Sequence, residues 1–380
     1  MFEALSFAFF RELKEIAASW YKLALISLLP FIACALLVGI FYQGVAFKLP
    51  IVVVDHDKSQ LSRKLLFNIN ASPTLDIKYR VNSTKEAIKL IKKRDAYALV
   101  EVPKDFQRDV FLQTQPKVTA MLNTQYILIG KIIKSALFKS VVTSAGEVEY
   151  VQHLIATQNS EASLHKISPI RLQITAFFNT YNNYFLFLVS ALLPSVWQIF
   201  IVIVTIISFG TLFKAKKEKE FFTGEYIEMK IVGKLLPYTL IYTLLGIAFI
   251  AYIYGTQGWA FEGSFAVLFF ALFLTVVAYQ VIALFLFVTG FDYARTLSLG
   301  AVYTAPAFAF LGITFPVSSM NAIAAFWRDM LPISYYMEIQ ISQANYGADI
   351  FLELENLGSI ALFILLIIPV FFRFRSRLAS

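Results

Sequence analysis

LFKAKKEKEFFTGEYIEMKIVGKLLPY, residues 212–238, lies between two long apolar runs. It carries Lys214, Lys216, Lys217, Lys219, Lys230 and Lys234, interleaved with Glu218, Glu220, Glu225 and Glu228. A lysine-dense loop between two membrane spans marks the cytoplasmic face, where short Lys/Arg-rich loops are retained. Such a loop is also a surface through which a soluble partner can move the membrane part. The predicted loop covers residues 213–234.

Composition agrees with a membrane reading. Of 380 residues, 58% are hydrophobic and only 15% charged. A soluble domain of this length could not hide so much apolar surface, so the class is integral membrane protein. The net charge of +8 does not point to nucleic acid. The basic residues cluster beside apolar spans, which suits anionic lipid headgroups. The single cysteine, Cys34, excludes an intrachain disulfide.

Outward from the loop, the pattern predicts an all-helical membrane protein with an inserted α/β domain. Phe2, Leu5, Phe9, Leu13, Ile16 and Trp20 recur at helical spacing, with Glu3, Arg11, Glu12, Lys14 and Glu15 on the other side. Residues 1–22 therefore read as an amphipathic helix in the membrane interface, a frayed terminus being the alternative. Residues 23–47 form the first span, long enough for a bilayer and kinked by Pro30. No signal cleavage is expected there. Residues 48–178 then show soluble patterning. Strands are expected over 50–54, 76–81, 97–102 and 117–123, with helices over 60–70, 83–94, 104–111 and 126–158. Ser83 and Glu86 make a capping-box pattern. Alternating strands and helices indicate a small α/β domain, and an extended segment over 169–178 returns to the membrane. Five further spans follow, over 184–212, 235–254, 265–289, 299–315 and 357–372, within a membrane part covering 179–380. The Lys/Arg distribution then puts both termini in the cytoplasm and the α/β domain outside.

None of these six spans contains Asp, Glu, Lys, Arg or His. An ion-coupled transporter or membrane hydrolase needs ionisable groups at depth, so energy must come from elsewhere. Neutral polar residues do occur there: Gln198, Thr205, Ser208, Tyr279, Gln280, Tyr303 and Thr304. Their ordinary role is helix–helix hydrogen bonding; the functional role would be lining a route for an amphiphilic substrate. Gln198, Thr205, Ser208, Tyr303 and Thr304 are the path candidates. Asp55, His56 and Asp57 resemble a metal cluster, but turn and cap positions account for them. His153 and His165 lack partners at ligand spacing. Ser59, Ser62 and His56 fit no nucleophile elbow. No catalytic or metal residue is assigned. Residues 316–356, with Phe326, Trp327, Tyr335, Tyr336 and Tyr346, read as short outer helices, re-entrant or forming a structured loop.

The stretch LGITFPVSSMNAIAAFWRDMLPISYYMEI, residues 311–339, resembles the C-terminal signature of ABC type-2 permease subunits. Phe315, Pro316, Ser318 and Met320 match its first part. Leu331, Pro332, Tyr335, Tyr336 and Glu338 match its second, while Asn321 stands where proline is frequent. Val54, Asp55, Asp57, Ser59, Ser62 and Arg63 resemble the start of the family's outer domain. Gly233, Lys234 and Pro237 match the G-K-x-x-P that closes its cytoplasmic loop. In KEKEFFTGE, Phe221 and Phe222 interrupt the family pattern and Thr223–Gly224 reverses it.

The resemblance implies the permease subunit of an ATP-driven exporter in a bacterial inner membrane, moving an amphiphilic or drug-like substrate. It implies no cofactor bound by this chain, ATP and magnesium being held by a separate cytoplasmic ABC ATPase. A second permease copy or paralogue, a periplasmic adaptor and an outer-membrane channel are further implied partners. Glu218, Glu220, Glu225, Glu228, Gly233 and Lys234 are the expected coupling residues. The competing reading is a non-transporting receptor or scaffold with a ligand-binding outer domain.

Overall fold

The computed structural model describes residues 1–42, 44, 46–112, 114, 116–123, 127–157, 183, 185–224, 226–256 and 261–379. The chain divides into two compact units, Val45–Thr175 and the remainder, Met1–Gly44 with Ala176–Ser380.

The first of these is a doubly wound α/β unit. Its order is β1 (Leu49–Asp55), α3 (Gln60–Asn70), β2 (Leu75–Val81), α4 (Thr84–Lys92), β3 (Ala98–Val102), α5 (Phe106–Phe111), β4 (Thr119–Leu122) and α6 (Ile127–Thr157), with α1 and α2 preceding it in the other unit. The sheet runs β2-β1-β3-β4, parallel except for β4. Central β1 is apolar on both faces because helices cover both. Ile51 and Val53 pack with Leu65, Ile69 and Ile133 on one face, Val52 and Val54 with Ala87 and Leu99 on the other. Full burial of such side chains stabilises by about 1.5–3 kcal/mol each. Ser59 and Ser83 cap α3 and α4 by accepting from Ser62 N and Lys85 N. The elements fall within a few residues of their predicted positions. The segment 169–178 lies outside the described residues.

The second unit is helical. Here α1 is Phe2–Ala18, α2 Trp20–Phe41, α7 Phe185–Lys214, α8 Glu218–Phe221, α9 Ile227–Thr256 and α10 Phe265–Val288. Then come α11 (Tyr293–Thr304), α12 (Ala307–Phe310), α13 (Ala322–Asp329), α14 (Pro332–Ile341), α15 (Leu354–Ile364) and α16 (Ile367–Ala379). Helices α7 and α10 form the buried centre, with Trp197, Ile201, Val202, Leu272, Val276 and Tyr279 in one core. Pro30 has no N–H, and a π-helical turn, Ala24–Leu28, immediately precedes the helical segment that contains it.

Two expectations change. Among the described residues, five helical stretches are long and apolar enough to cross a membrane: Trp20–Phe41, Phe185–Lys214, Ile227–Gly255, Phe265–Val288 and Ile350–Ala379. The predicted span over 299–315 is not a continuous helix. It breaks between α11 and α12 beside Pro306, which cannot donate to the turn before it. Residues 316–356 are also not wholly an outer surface. Ile333, Tyr336, Met337 and Ile339 of α14 are fully buried in the core shared with α7 and α10.

Helices α7 and α11 approach closely at Gly300. A Cβ there would lie 2.9 Å from Ile206 Cδ1 and 3.0 Å from Val202 Cγ1. Gly300→Leu should separate these helices at about 1–3 kcal/mol, the usual scale of overpacking. Its thermal midpoint in detergent should fall, while Gly39→Ala, where no atom lies within 4 Å, should not lower it.

Candidate functional site

The site grows from the end of α7. Lys216 adopts a left-handed φ of 55° and stops the helix, and one turn of α8 follows. The KEKEFF run is then anchored rather than free. Phe221 and Phe222 are buried and meet edge to face at 4.9 Å. Phe222 packs at 5.7 Å on Phe374 of α16, in a core with Phe209 of α7 and Phe287 of α10. The two phenylalanines that interrupt the family pattern thus fasten the loop to three other helices.

Helix α9 starts at Ile227, so Glu228, Lys230, Gly233 and Lys234 belong to its first turns and not to an open loop. The predicted loop over 213–234 ends about eight residues early, and two of its lysines are not a solvated face. Buried Lys230 donates to the carbonyls of Phe221, at 3.2 Å, and Thr223, at 2.5 Å. Lys234 is fully buried and pairs with Glu12 of α1.

Glu12 is the centre of the site. Its Oε1 accepts from Lys22 Nζ at 2.8 Å, Ser208 Oγ at 3.0 Å and Tyr238 OH at 2.5 Å. Its Oε2 accepts from Lys234 Nζ. Glu12, Lys22, Ser208, Lys234 and Tyr238 are all buried. One carboxylate therefore ties together α1, the start of α2, α7 and α9. Burial would push the Glu12 carboxyl up, but the charges of Lys234 and Lys22 outweigh it and hold the group at about 2. Glu15 extends the cluster, 3.2 Å from Lys22 and 3.7 Å from Lys234. Lys22 also shows that ionisable groups enter a membrane-length helix, at its end rather than at depth.

Backbone fit brings the partners together. A Cβ on Gly233 would collide with the Leu5 carbonyl and lie 3.0 Å from the Ala8 Cβ. Gly233 and Ala8 let α1 and α9 touch, one turn from the Glu12–Lys234 pair. Arg11 then reaches the loop, 3.5 Å from Glu220 and 5.0 Å from the centre of the Phe221 ring. Glu220 is exposed, Glu218 half-buried, and Glu228 pairs with Arg375 of α16. Glu225 lies outside the described residues.

A family model described as ABC-2 family transporter protein matches residues 22–373. The chain belongs to this family. No curated protein matches it. As an ABC-2 chain with several apolar helices it is a membrane permease component of a transporter.

Of the permease's predicted path residues, Gln198 and Thr304 meet, and each of the five has a local hydrogen-bond partner. Gln198 donates to the Thr304 carbonyl at 3.2 Å, joining α7 to α11. Thr205 and Thr304 bond carbonyls of their own helices, at Ile201 and Gly300. Tyr303 donates to the Met330 carbonyl, and Ser208 belongs to the Glu12 cluster. Of the coupling residues, Gly233, Lys234 and Glu220 meet α1, while Glu228 meets α16. In the α/β unit, the Asp55 carboxylate accepts from the Asp57 and Lys58 N–H groups, and Asp57 accepts from Gln107 N. These are turn and cap roles.

Arg11, Glu12, Glu15, Lys22 and Tyr238 were not singled out from the sequence. One signal was present: Ala8, Glu12 and Ile16 share a stripe at i, i+4, i+8, and this is the buried face of α1. Phe2 and Trp20, on the predicted apolar face, are more than three-quarters exposed.

Removing one partner of a buried ionic cluster leaves the others uncompensated, at about 3–5 kcal/mol. Glu12→Gln should lower the melting temperature of the detergent-solubilised permease accordingly, and Lys234→Met added to it should recover part of the loss. Because the Glu12 pKa is depressed from 4.5 to about 2, its contribution is complete above pH 4.5 and fades as pH falls towards 2. Thermal melts between those limits should show a smaller pH dependence in Glu12→Gln than in wild type.

Proposed function

We propose that this chain is the permease subunit of an ATP-driven exporter, and that its energy enters where α1, α8 and α9 meet. The observation that carries this reading is the Glu12 cluster. It joins the exposed Arg11–Glu220 surface to the ends of α2, α7 and α9 through buried charge. A separate ATPase, closing on ATP, would press on that surface. Lys214, Lys216, Lys217 and Lys219 are exposed and would face lipid headgroups or the ATPase. Driving a two-state switch nearly to completion takes about 5.5 kcal/mol of differential binding, which only such a partner could provide.

The topology is proposed as six crossings with both termini cytoplasmic. Support comes from one aromatic cluster: Phe213 at the end of α7, Phe287 at the end of α10, Phe291 just after it, and Phe374 of α16 lie together. The chain leaves α10 at that end, and α15 and α16 return to it. On this reading, residues between 293 and 349 cross the other way. Helices α11 and α12 together supply about 24 Å at 1.5 Å per residue, with the turn between them adding to a reach near the roughly 30 Å of hydrocarbon. The lysine loop puts the shared end in the cytoplasm. The α/β unit is then periplasmic, in a bacterial inner membrane. The substrate class is amphiphilic or drug-like. A second permease copy, an adaptor and an outer-membrane channel complete the proposed assembly. The receptor or scaffold reading finds no support beside the family match.

The test is charge reversal on the loop. Glu218→Lys with Glu220→Lys should leave membrane insertion intact while reducing ATP-dependent transport in vesicles by about tenfold or more, with residual ATPase activity no longer stimulated by substrate. Full-rate transport by the double variant would remove the loop from the coupling route.

A further inference from the structure

A second charged feature lies wholly within the α/β unit and has no part in energy coupling. At the carboxyl ends of β1 and β2 there is a cleft of about 230 Å³. Its lining includes Val53, Asp55, Lys58, Arg63, Arg80 and Asn82. Val53 and Arg80 are register partners on the two parallel strands. Lys58 and Arg63 come from the turn and first helical turn that follow β1. Open α/β sheets hold ligands at this edge, where strands end and helices begin.

The cleft concentrates three cations against one carboxylate. That carboxylate is already engaged: Asp55 Oδ1 accepts from the N–H groups of Asp57, at 3.1 Å, and Lys58, at 2.9 Å, and Oδ2 from Ser62 Oγ, at 2.8 Å. Arg63 Nε donates to the Ser59 carbonyl at 3.0 Å, which orients the guanidinium and leaves its two terminal nitrogens for another acceptor. Lys58, Arg63 and Arg80 form no ion pair among the described residues. Among the described residues of this unit, Lys64 pairs instead with Glu147 at 3.0 Å, and His56 hydrogen-bonds Glu101 at 2.9 Å. The first turn of α3 offers little to an anion, because the N–H groups of Leu61 and Ser62 are taken by Gln107 and Ser59. Recognition would rest on side chains, with guanidinium forks suited to bidentate binding of an oxyanion.

We propose that this cleft binds a phosphate-class oxyanion. Its volume lies below the roughly 300–1,000 Å³ of pockets that enclose drug-sized molecules, so it suits a headgroup and not a whole amphiphile. The oxyanion is either free inorganic phosphate or the phosphomonoester headgroup of a lipid-like molecule, and both present the same three oxygens to Lys58, Arg63 and Arg80.

The test is calorimetric titration of the full-length chain in a nonionic detergent. The probes are inorganic phosphate, dihexanoyl phosphatidic acid, and dihexanoylglycerol as the form without a headgroup. Saturable phosphatidic acid binding, with none for dihexanoylglycerol, supports the site. Equal binding by inorganic phosphate identifies the free anion as sufficient, and binding by phosphatidic acid alone identifies the lipid-like source. Arg63→Gln and Arg80→Gln should each weaken binding by about tenfold, and Arg63→Lys by less. Lys92→Gln, an exposed cation of α4 outside the cleft, should leave it unchanged. The glutamine variants replace exposed side chains, and an unchanged thermal midpoint checks that they fold. The proposal is overturned if no probe binds saturably, or if Lys92→Gln weakens binding as much as Arg63→Gln.

Discussion

A buried carboxylate held between two lysines is the constraint on which the helical unit turns. Taking Glu12, Lys22 and Lys234 out of water costs several kcal/mol per ion, and their attraction repays this only in a tightly defined geometry. The cluster therefore does more for position than for stability. Helix α1 could slide along α9 at little cost if only apolar contacts joined them. With Glu12 facing Lys234 and the Leu5 carbonyl seated over Gly233, a shift of one residue would strand three charges in the core. The amphipathic helix is thereby locked in register to the membrane helix beside it, with Phe2, Phe10 and Trp20 left exposed for an apolar surround.

That lock explains why the loop is folded. A flexible loop would absorb a push from outside before it reached the helices. Here Phe221 and Phe222 are embedded among Phe209, Phe287 and Phe374, and Lys230 grips the loop's carbonyls. Exposed charge and buried anchor alternate over a few residues: Glu220 outside, Phe221 inside, Arg11 bridging both. Glu220 thus contacts α1 through Arg11, and the loop beside it contacts α9 through Lys230.

Legibility in the sequence followed the range of the interactions. PIVVV and the turn signals after it place β1 and α3 because strand burial and Ser59 capping are local. Glu12 is a different case. Its partners stand 10, 196, 222 and 226 residues away, so on a helical wheel it reads as part of the polar face. The burial of Lys230 and Lys234 is illegible for the same reason, since a lysine count cannot separate those facing headgroups from those facing a carboxylate. Pro306 was visible, yet apolar composition alone does not reveal whether a span is continuous.

The position of the charges has a mechanical consequence. The Glu12 cluster meets α2, α7 and α9 near their ends, while neutral pairs join helices elsewhere: Trp197 to the Tyr242 carbonyl, Thr239 to Gln280, Gln198 to the Thr304 carbonyl. These bonds do not change with protonation or ion binding, so nothing in them responds to a gradient. They also tie neighbouring helices at several depths, which resists bending one helix alone. Rotation of packed groups of helices as bodies about their less buried neighbours is the kind of motion these bonds leave available. Helix α2 is such a neighbour: little of it is buried, whereas α7 and α10 are mostly enclosed. Lys22 at the start of α2 shares the Glu12 carboxylate with Lys234 of α9. A motion that swings α2 against the α7–α10 core must therefore carry α1 with it or break the cluster.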